Sequence, residues 1–364
     1  MDIARKFKPH SILLWQKVKD HPEARRILGL FPSTKIQLIE HQRLPSATTL
    51  SAGQALRKSK RILMIGETTS FVGRFDGRLG GEVQCCPYYK LVPLSNGCPY
   101  YCTYCYLAFV YRKYSPFIKL NINYETMFKQ IHKAVARSRA RADFNMGEML
   151  DSLALDHVTN LTTKLVPFMK DKPNAHLMLL TKSSNIRNLL AVEPNNHIVV
   201  SWSLNPQYII DRYEPGTASL GQRVEAAKAC QQHGYRVRFR IDPGILYPDW
   251  PDSYTSMVKL ALAHVEPENI TIGMLRLLPG HKRLAIDAYS AKGRQLAAQE
   301  LTDKASDGKM RYHRKRRVEF YNFLIDAIRS FDKSLSIGLC RETSDVWQKL
   351  RDRCDHRKCN CVTW

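Results

Sequence analysis

From Tyr88 onward, short apolar and β-branched runs alternate with longer stretches whose apolar residues recur every three or four positions. The runs are YKLVPLS (89–95), ADFNM (142–146), HLMLLTK (176–182), HIVVSWSLN (197–205), YRVRFRID (235–242) and NITIGMLRL (269–277). Between them, helical spacing covers 124–140, 156–170, 186–193, 219–233 and 253–265. Strands alternating with helices predict βαβ crossovers and a mainly parallel sheet. About six such units form an open, partial (β/α) barrel of the α/β class, with its chemistry at the C-terminal strand ends. Upstream, the pattern predicts a helix near 24–30, an extended stretch at 35–40, a connection over 46–59 and a strand at RILMIG (61–66). A loop with Gly66, Gly73, Gly77, Gly80 and Gly81 follows. Past Pro279, residues 281–315 are polar and basic, 318–331 have helical spacing, and the last 25 residues carry four cysteines. The division expected is an N-terminal α/β extension (1–84), the partial barrel (85–280) and a C-terminal helical, Cys-rich extension (281–364).

Charge adds a partner. Lys and Arg number 56 against 33 Asp and Glu, an excess of 23 in 364 residues. That excess points to a polyanion, with nucleic acid ahead of an anionic membrane surface. No apolar run approaches the roughly 20 residues of a membrane span. The first 31 residues show neither a long apolar segment nor a small-residue cleavage site. A cytoplasmic protein is expected, and there the ten cysteines read as metal ligands rather than disulfides.

The segment SNGCPYYCTYCYL (95–107) spaces Cys98, Cys102 and Cys105 as C-x3-C-x2-C. Three thiolates on one loop hold three corners of a [4Fe-4S] cube. With no fourth Cys nearby, one iron stays open to chelate a small molecule, whereas a zinc knuckle would have to borrow a ligand from elsewhere. Gly97 lets the backbone approach the cube, and Tyr104 is placed to stack on an adenine.

This arrangement resembles the signature of radical S-adenosylmethionine (SAM) enzymes, which cleave SAM at the open iron to a 5′-deoxyadenosyl radical. Further blocks resemble one family among them, the spore photoproduct lyases. They are CTYCYL (102–107), LALDH (153–157), TK (181–182), SLN (203–205), YEPGTASLGQRVEAAKACQQHGY (213–235) and KMRY (309–312). The resemblance spans roughly residues 30–330 and implies a radical-SAM partial barrel, a carbon–carbon lyase acting on UV-cross-linked thymines in DNA, and a one-electron donor such as flavodoxin or ferredoxin. It also implies that Lys182, Ser203 and Asn205 line the SAM site, that Tyr104 and Tyr106 contact the adenosyl group, and that Tyr106 relays a hydrogen atom. The lyases return hydrogen from a cysteine after the second strand, and here Glu148 stands at that position. Gly147-Glu148 instead resembles the end of a glycine-glycine-glutamate motif whose backbone binds the SAM amino group. Candidate phosphate contacts are Arg311, Tyr312, Arg314, Lys315 and Arg316 in the run 311–317, and Arg137, Arg139 and Arg141.

Cys340, Cys354, Cys359 and Cys361 depart from the lyase pattern. They are read as a second metal site, for an Fe–S cluster or for zinc with His356 as a ligand, or as the source of the missing hydrogen donor. Cys85, Cys86 and Cys230 are read as structural thiols. Two other functions share these residues: a radical-SAM enzyme for another substrate such as RNA, and a non-catalytic Fe–S protein that binds nucleic acid. Oligomeric state is left open.

Overall fold

The computed structural model of the chain describes residues 7–42, 51–111, 117–356 and 358–362. Its main sheet has eight strands: β1 (Val72–Phe75), β2 (Tyr88–Leu91), β3 (Ala142–Asn145), β4 (Ala175–Thr181), β5 (Ile198–Ser203), β6 (Arg236–Gly244), β7 (Asn269–Met274) and β8 (Ser336–Leu339). They lie in simple succession from β8 to β1. Every neighbouring pair is parallel except β1 with β2. The sheet is open, so this is a partial barrel, and all six expected strands are in it. Helices at Tyr124–Arg137, Thr162–Lys170, Leu220–Gln232, Trp250–Leu262 and Arg314–Arg329 make the crossovers. The third of these begins in a capping box, in which Ser219 and Gln222 each accept the other's backbone N–H.

Several elements differ from the expectation. The run at 89–95 is two strands in two sheets, because Pro93 has no N–H to continue a ladder. The stretch 156–170 breaks at Asn160, whose φ of 53° ends the short helix Asp156–Thr159. Residues 187–191 form turns rather than a helix. Within 46–59, Ala52–Ser59 is a helix started by a Ser51–Gln54 capping box, while 46–50 lie outside the described residues. The C-terminal region is more than helical, since it contributes β8 to the main sheet.

A second, five-stranded sheet joins Lys35–Ile39, Ser11–Trp15, Ile62–Gly66, Ile118–Asn121 and Leu94–Ser95 in that order. Its last strand leads directly into the cysteine loop, so the N-terminal sheet supports that loop.

On β6 the apolar Val237, Phe239 and Ile241 alternate with Arg236, Arg238 and Arg240. Register places Arg238 beside Ser201 and Arg240 beside Ser203 on β5, and Arg240 beside Thr271 on β7. One face of the sheet is therefore apolar and the other is polar. The C-terminal tail lies on the polar face. Asn360 N–H donates to Thr271 Oγ1 at 2.8 Å, and its side-chain amide donates to Ser201. The Arg238 guanidinium donates to the carbonyls of Val362 at 2.7 Å and Cys359 at 3.4 Å. Gly338 makes this possible, because a Cβ there would lie 2.0 Å from the Lys358 carbonyl. Among the described residues no helix is long and apolar enough to cross a membrane.

Candidate active site

At the C-terminal ends of the strands lies a cavity of about 230 Å³. Cys98, Cys102 and Cys105 line one side of it, and Gly147, Lys182 and Ser203 are among the residues of the other walls. The cysteine loop is fixed by its backbone. Tyr101 N–H donates to Pro215 O at 3.1 Å and Thr103 N–H to Tyr213 O at 2.9 Å. The buried Lys60 ammonium donates to Tyr100 O. The glycine at 97 is also required by its own loop: a Cβ there would lie 2.3 Å from the Leu94 Cβ. Gly147 is equally constrained, with Leu180 atoms 2.2–2.8 Å from where its Cβ would be.

Glu214, of the E-P-G-T turn, organises the wall between the thiols and the strand ends. It is fully buried and accepts from Arg223 at 2.5 Å, from Asn205 at 3.0 Å and from the Tyr104 hydroxyl. Lys182 Nζ is 3.7 Å away and donates to Ser203 Oγ. Burial pushes the Glu214 carboxyl up, but Arg223 and Lys182 outweigh it and hold it at about 2. The turn is thus a buried ion pair with hydrogen bonds to nearly every oxygen lone pair, the condition under which burying charge is tolerated. Asn205 was expected to line the SAM site. It is completely buried, bonded to Glu214 and the Tyr254 hydroxyl, and does not reach the cavity. Tyr104 lines the cavity, but its hydroxyl is committed to Glu214. Tyr106 is 42% exposed at the cavity, with Lys309 Nζ 4.7 Å from its ring centre.

Glu148 is not a free surface carboxylate. It accepts from Arg240, from Arg341 at 3.3 Å, and from the Cys361 thiol at 3.6 Å. Burial raises its carboxyl, and Arg240 and Arg341 more than reverse that, to about 2. Asp242 takes Arg240 at 2.8 Å and Arg276 at 2.9 Å. The N–H groups of Gly147 and Glu148 both donate to Asn145 Oδ1, at 2.9 and 3.1 Å. Sequence reasoning missed Arg240, Asp242, Arg276, Arg341 and Asp151. A signal for the first two was present in YRVRFRID, where arginine at every second position of an otherwise apolar strand demands buried partners.

The nucleic-acid residues separate into two groups. Arg311 is buried on Asp307 at 2.7 and 2.8 Å. Tyr312 is buried too, donating to Gln299 and accepting from Leu246 N–H at 3.2 Å. Neither is available to DNA, because the KMRY element is a short hairpin strand packed against Arg276–Leu277. Arg314, Lys315 and Arg316 are exposed on the first turn of their helix, whereas Arg317 is buried on Glu342. Arg316 borders a groove that also holds Arg212 and the stacked pair Tyr208–Tyr247, 4.4 Å apart. Arg137, Arg139 and Arg141 line a wider cleft with Arg74 and Arg78.

The four tail cysteines do not come together. Cys354 packs in the main apolar core, because the turn after the helix Ser344–Leu350 carries it away from the tail. Cys340, Cys359 and Cys361 gather instead with Cys85 and Cys86 around a second cavity. Cys230 is a buried helix thiol, as expected.

Comparison with known proteins agrees with this geometry. The model of the spore photoproduct lyase family matches residues 7–318. The spore photoproduct lyase of Clostridium acetobutylicum is 25% identical over 256 residues, 69% of this chain and 73% of that one. That of Bacillus subtilis is 24% identical over 252 residues, 68% and 71% of the two chains. A solved spore photoproduct lyase variant with bound AdoMet and dinucleoside spore photoproduct superposes with a TM-score of 0.77 at 20% identity, over 92% of this chain and 98% of that one. A lyase complexed with dinucleoside spore photoproduct gives 0.75 over the same shares. The cysteine loop, the Glu214–Arg223 turn and the open parallel sheet thus stand in a chain that belongs to the spore photoproduct lyase family.

Proposed function

We propose that this chain repairs a UV-induced thymine–thymine adduct of the spore photoproduct type in DNA, by radical-SAM chemistry at the cavity that Cys98, Cys102 and Cys105 line. One observation carries the reading: three thiols on one loop and the Lys182–Ser203 pair face a single cavity at the ends of parallel strands. The donor set fits a [4Fe-4S] cluster with one open iron, since no fourth thiol lines this cavity among the described residues. The chemistry that the cluster and SAM supply together is a 5′-deoxyadenosyl radical, made by one-electron cleavage of the S–C5′ bond.

The chain's own residues do the rest. Lys182, held in place by Ser203 and Glu214, presents an ammonium for the SAM carboxylate. The carbonyls of Gly147 and Glu148 serve the SAM amino group. Five cations line the cavity (Lys182, Arg240, Arg276, Lys309 and Arg341) against three carboxylates (Glu148, Asp151 and Asp242). The surplus, 5 − 3 = 2, suits the SAM carboxylate and a lesion phosphodiester. Among the described residues the cavity holds no thiol outside the cluster set, so Tyr106 is the residue we assign to hydrogen return. Arg314, Lys315 and Arg316, and the Arg74–Arg141 cleft, supply phosphate contacts while the lesion is extruded. A cytoplasmic one-electron donor of the flavodoxin or ferredoxin class completes the system.

The test is anaerobic incubation of reduced, reconstituted protein with SAM and dinucleoside spore photoproduct, with products read by mass spectrometry. The proposal expects released thymine residues and 5′-deoxyadenosine from the wild type. It expects neither from Cys102→Ala, and a raised KM for SAM in Lys182→Ala. Formation of 5′-deoxyadenosine without repair would refute the substrate.

A further inference from the structure

Behind the SAM cavity lies a second one of about 240 Å³, and Arg341 lines both. Five thiols face it. Cys85 and Cys86 come from the loop between β1 and β2, Cys340 directly follows β8, and Cys359 and Cys361 come from the tail. The Cys86 and Cys359 sulfurs are 3.2 Å apart. No disulfide joins any of them.

The tail is built into the fold to bring its two thiols here. Asn360, between them, is buried and bonded to β7 and β5, and Arg238 on β6 holds the carbonyls on either side. Burial raises the Cys340 thiol to about 11 and the Cys85 thiol to about 12, so both are protonated without a bound metal, but cations that would accompany bound thiolates are in place. The Arg240 guanidinium is 3.1 Å from Cys340 Sγ, and Arg341 lines the same cavity. Cations beside a thiol favour the thiolate, the form that binds metal. Five sulfurs with guanidinium groups nearby are far more than packing requires of a residue that behaves as a small hydrophobe.

The number of sulfurs favours one occupant over the other, although His356 also lines the cavity and would complete a zinc set. A single zinc ion draws four donors to about 2.3 Å from one point. Among the described residues no group of three or more His, Cys, Asp or Glu side chains closes in that way. The loop of Cys98, Cys102 and Cys105 does not either, as befits ligands of separate irons. We propose that Cys85, Cys86, Cys340, Cys359 and Cys361 form the site of a second, four-iron iron–sulfur cluster, whose four irons are closed by four of these five thiolates. Entry of a preformed cluster releases the protons of the thiols that ligate it, and no electron transfer is required. With no open iron, this cluster binds no SAM. It pins the tail against β6 and so fixes the wall behind Glu148.

The test is a count of iron and acid-labile sulfide in the anaerobically reconstituted full chain, with zinc measured in parallel. The wild type is expected to hold about eight of each, as two four-iron clusters require. The triple variant Cys98→Ala/Cys102→Ala/Cys105→Ala should keep about half, with a reduced-state electron paramagnetic resonance signal that SAM does not change. The variant Cys340→Ala/Cys359→Ala/Cys361→Ala should also keep about half, with a signal that SAM does change. Should that second variant fail to fold, the first still decides the matter. Loss of all iron and sulfide from the first variant would overturn the proposal. So would stoichiometric zinc without sulfide, or a Cys86–Cys359 disulfide found by mass mapping of the reconstituted wild type. None of these outcomes touches the SAM-dependent repair assay, so the two proposals fail separately.

Discussion

Glu148→Gln is the substitution whose cost the structure fixes most closely. The carboxylate is held by Arg240 and Arg341, and its acid form is pushed down from the usual 4.5 to about 2. Its side chain is only 12% exposed, so solvent screens the pairing little. Each tenfold change in the proton equilibrium is worth about 1.4 kcal/mol, which makes the pairing worth about 3 kcal/mol at neutral pH. Because the folded-state value is the lower one, this stability is fully present above 4.5 and is lost as pH falls towards 2. At pH 3 less than half of it remains. The amide of Gln accepts from one arginine, while Arg240 keeps Asp242, so the loss in the variant is of that order. With an unfolding entropy proportional to chain length, about 3 kcal/mol lowers Tm by about 4 °C. Anaerobic calorimetry of wild type and Glu148→Gln at pH 7 and pH 4 measures it. A variant as stable as wild type at pH 7, or a difference that grows as pH falls, would refute the reasoning. The same network explains why a cysteine introduced at 148 would not simply install a hydrogen donor, since it would strip both arginines of a carboxylate.

The other predictions concern binding and turnover. Burial lowers the Lys309 ammonium to about 8, with Arg276 and Arg341 adding to the effect. Its positive charge is therefore present below pH 8 and lost above it, and KM for the lesion dinucleotide should rise between pH 7.5 and 9 in wild type but stay flat in Lys309→Ala. Changing Arg314, Lys315 and Arg316 together to Ala should weaken DNA binding about equally across sequences and reduce the slope of log affinity against log salt by about 2 to 3, as fluorescence anisotropy would show. Arg311→Ala should leave that slope unchanged and lower Tm instead, because its partner is the buried Asp307. Tyr106→Phe should keep 5′-deoxyadenosine formation within about twofold while repair falls at least tenfold, and equal losses of both products would remove Tyr106 from hydrogen return.

The barrel strands were legible because most are short apolar runs bounded by turns, although the run at 142–146 has no β-branched residue. The three thiols on one loop were legible from spacing alone. The arginines were harder to read, because a charged side chain is ordinarily taken as a surface group: the alternation in YRVRFRID hinted at buried Arg238 and Arg240, but nothing in the sequence marked Arg311 as buried. Arg311 and Tyr312 were assigned to DNA on the same habit. The second thiol site was half legible. Nearness in sequence grouped Cys354 with the tail and kept Cys85 and Cys86 apart from it, whereas the isolated bridge between Val83 and Thr343 brings the two distant segments together. Asn205 and Glu214 show a further limit. A motif marks residues near the chemistry, but it does not tell those that face the cavity from those that hold its wall.

The most direct test of the central claim uses a DNA duplex carrying one spore photoproduct, with an undamaged duplex as control, each mixed anaerobically with reduced, reconstituted protein and SAM. The account predicts repaired thymines and lesion-dependent 5′-deoxyadenosine, both abolished in Cys98→Ala. Equal 5′-deoxyadenosine from both duplexes, with the lesion left intact, would contradict it.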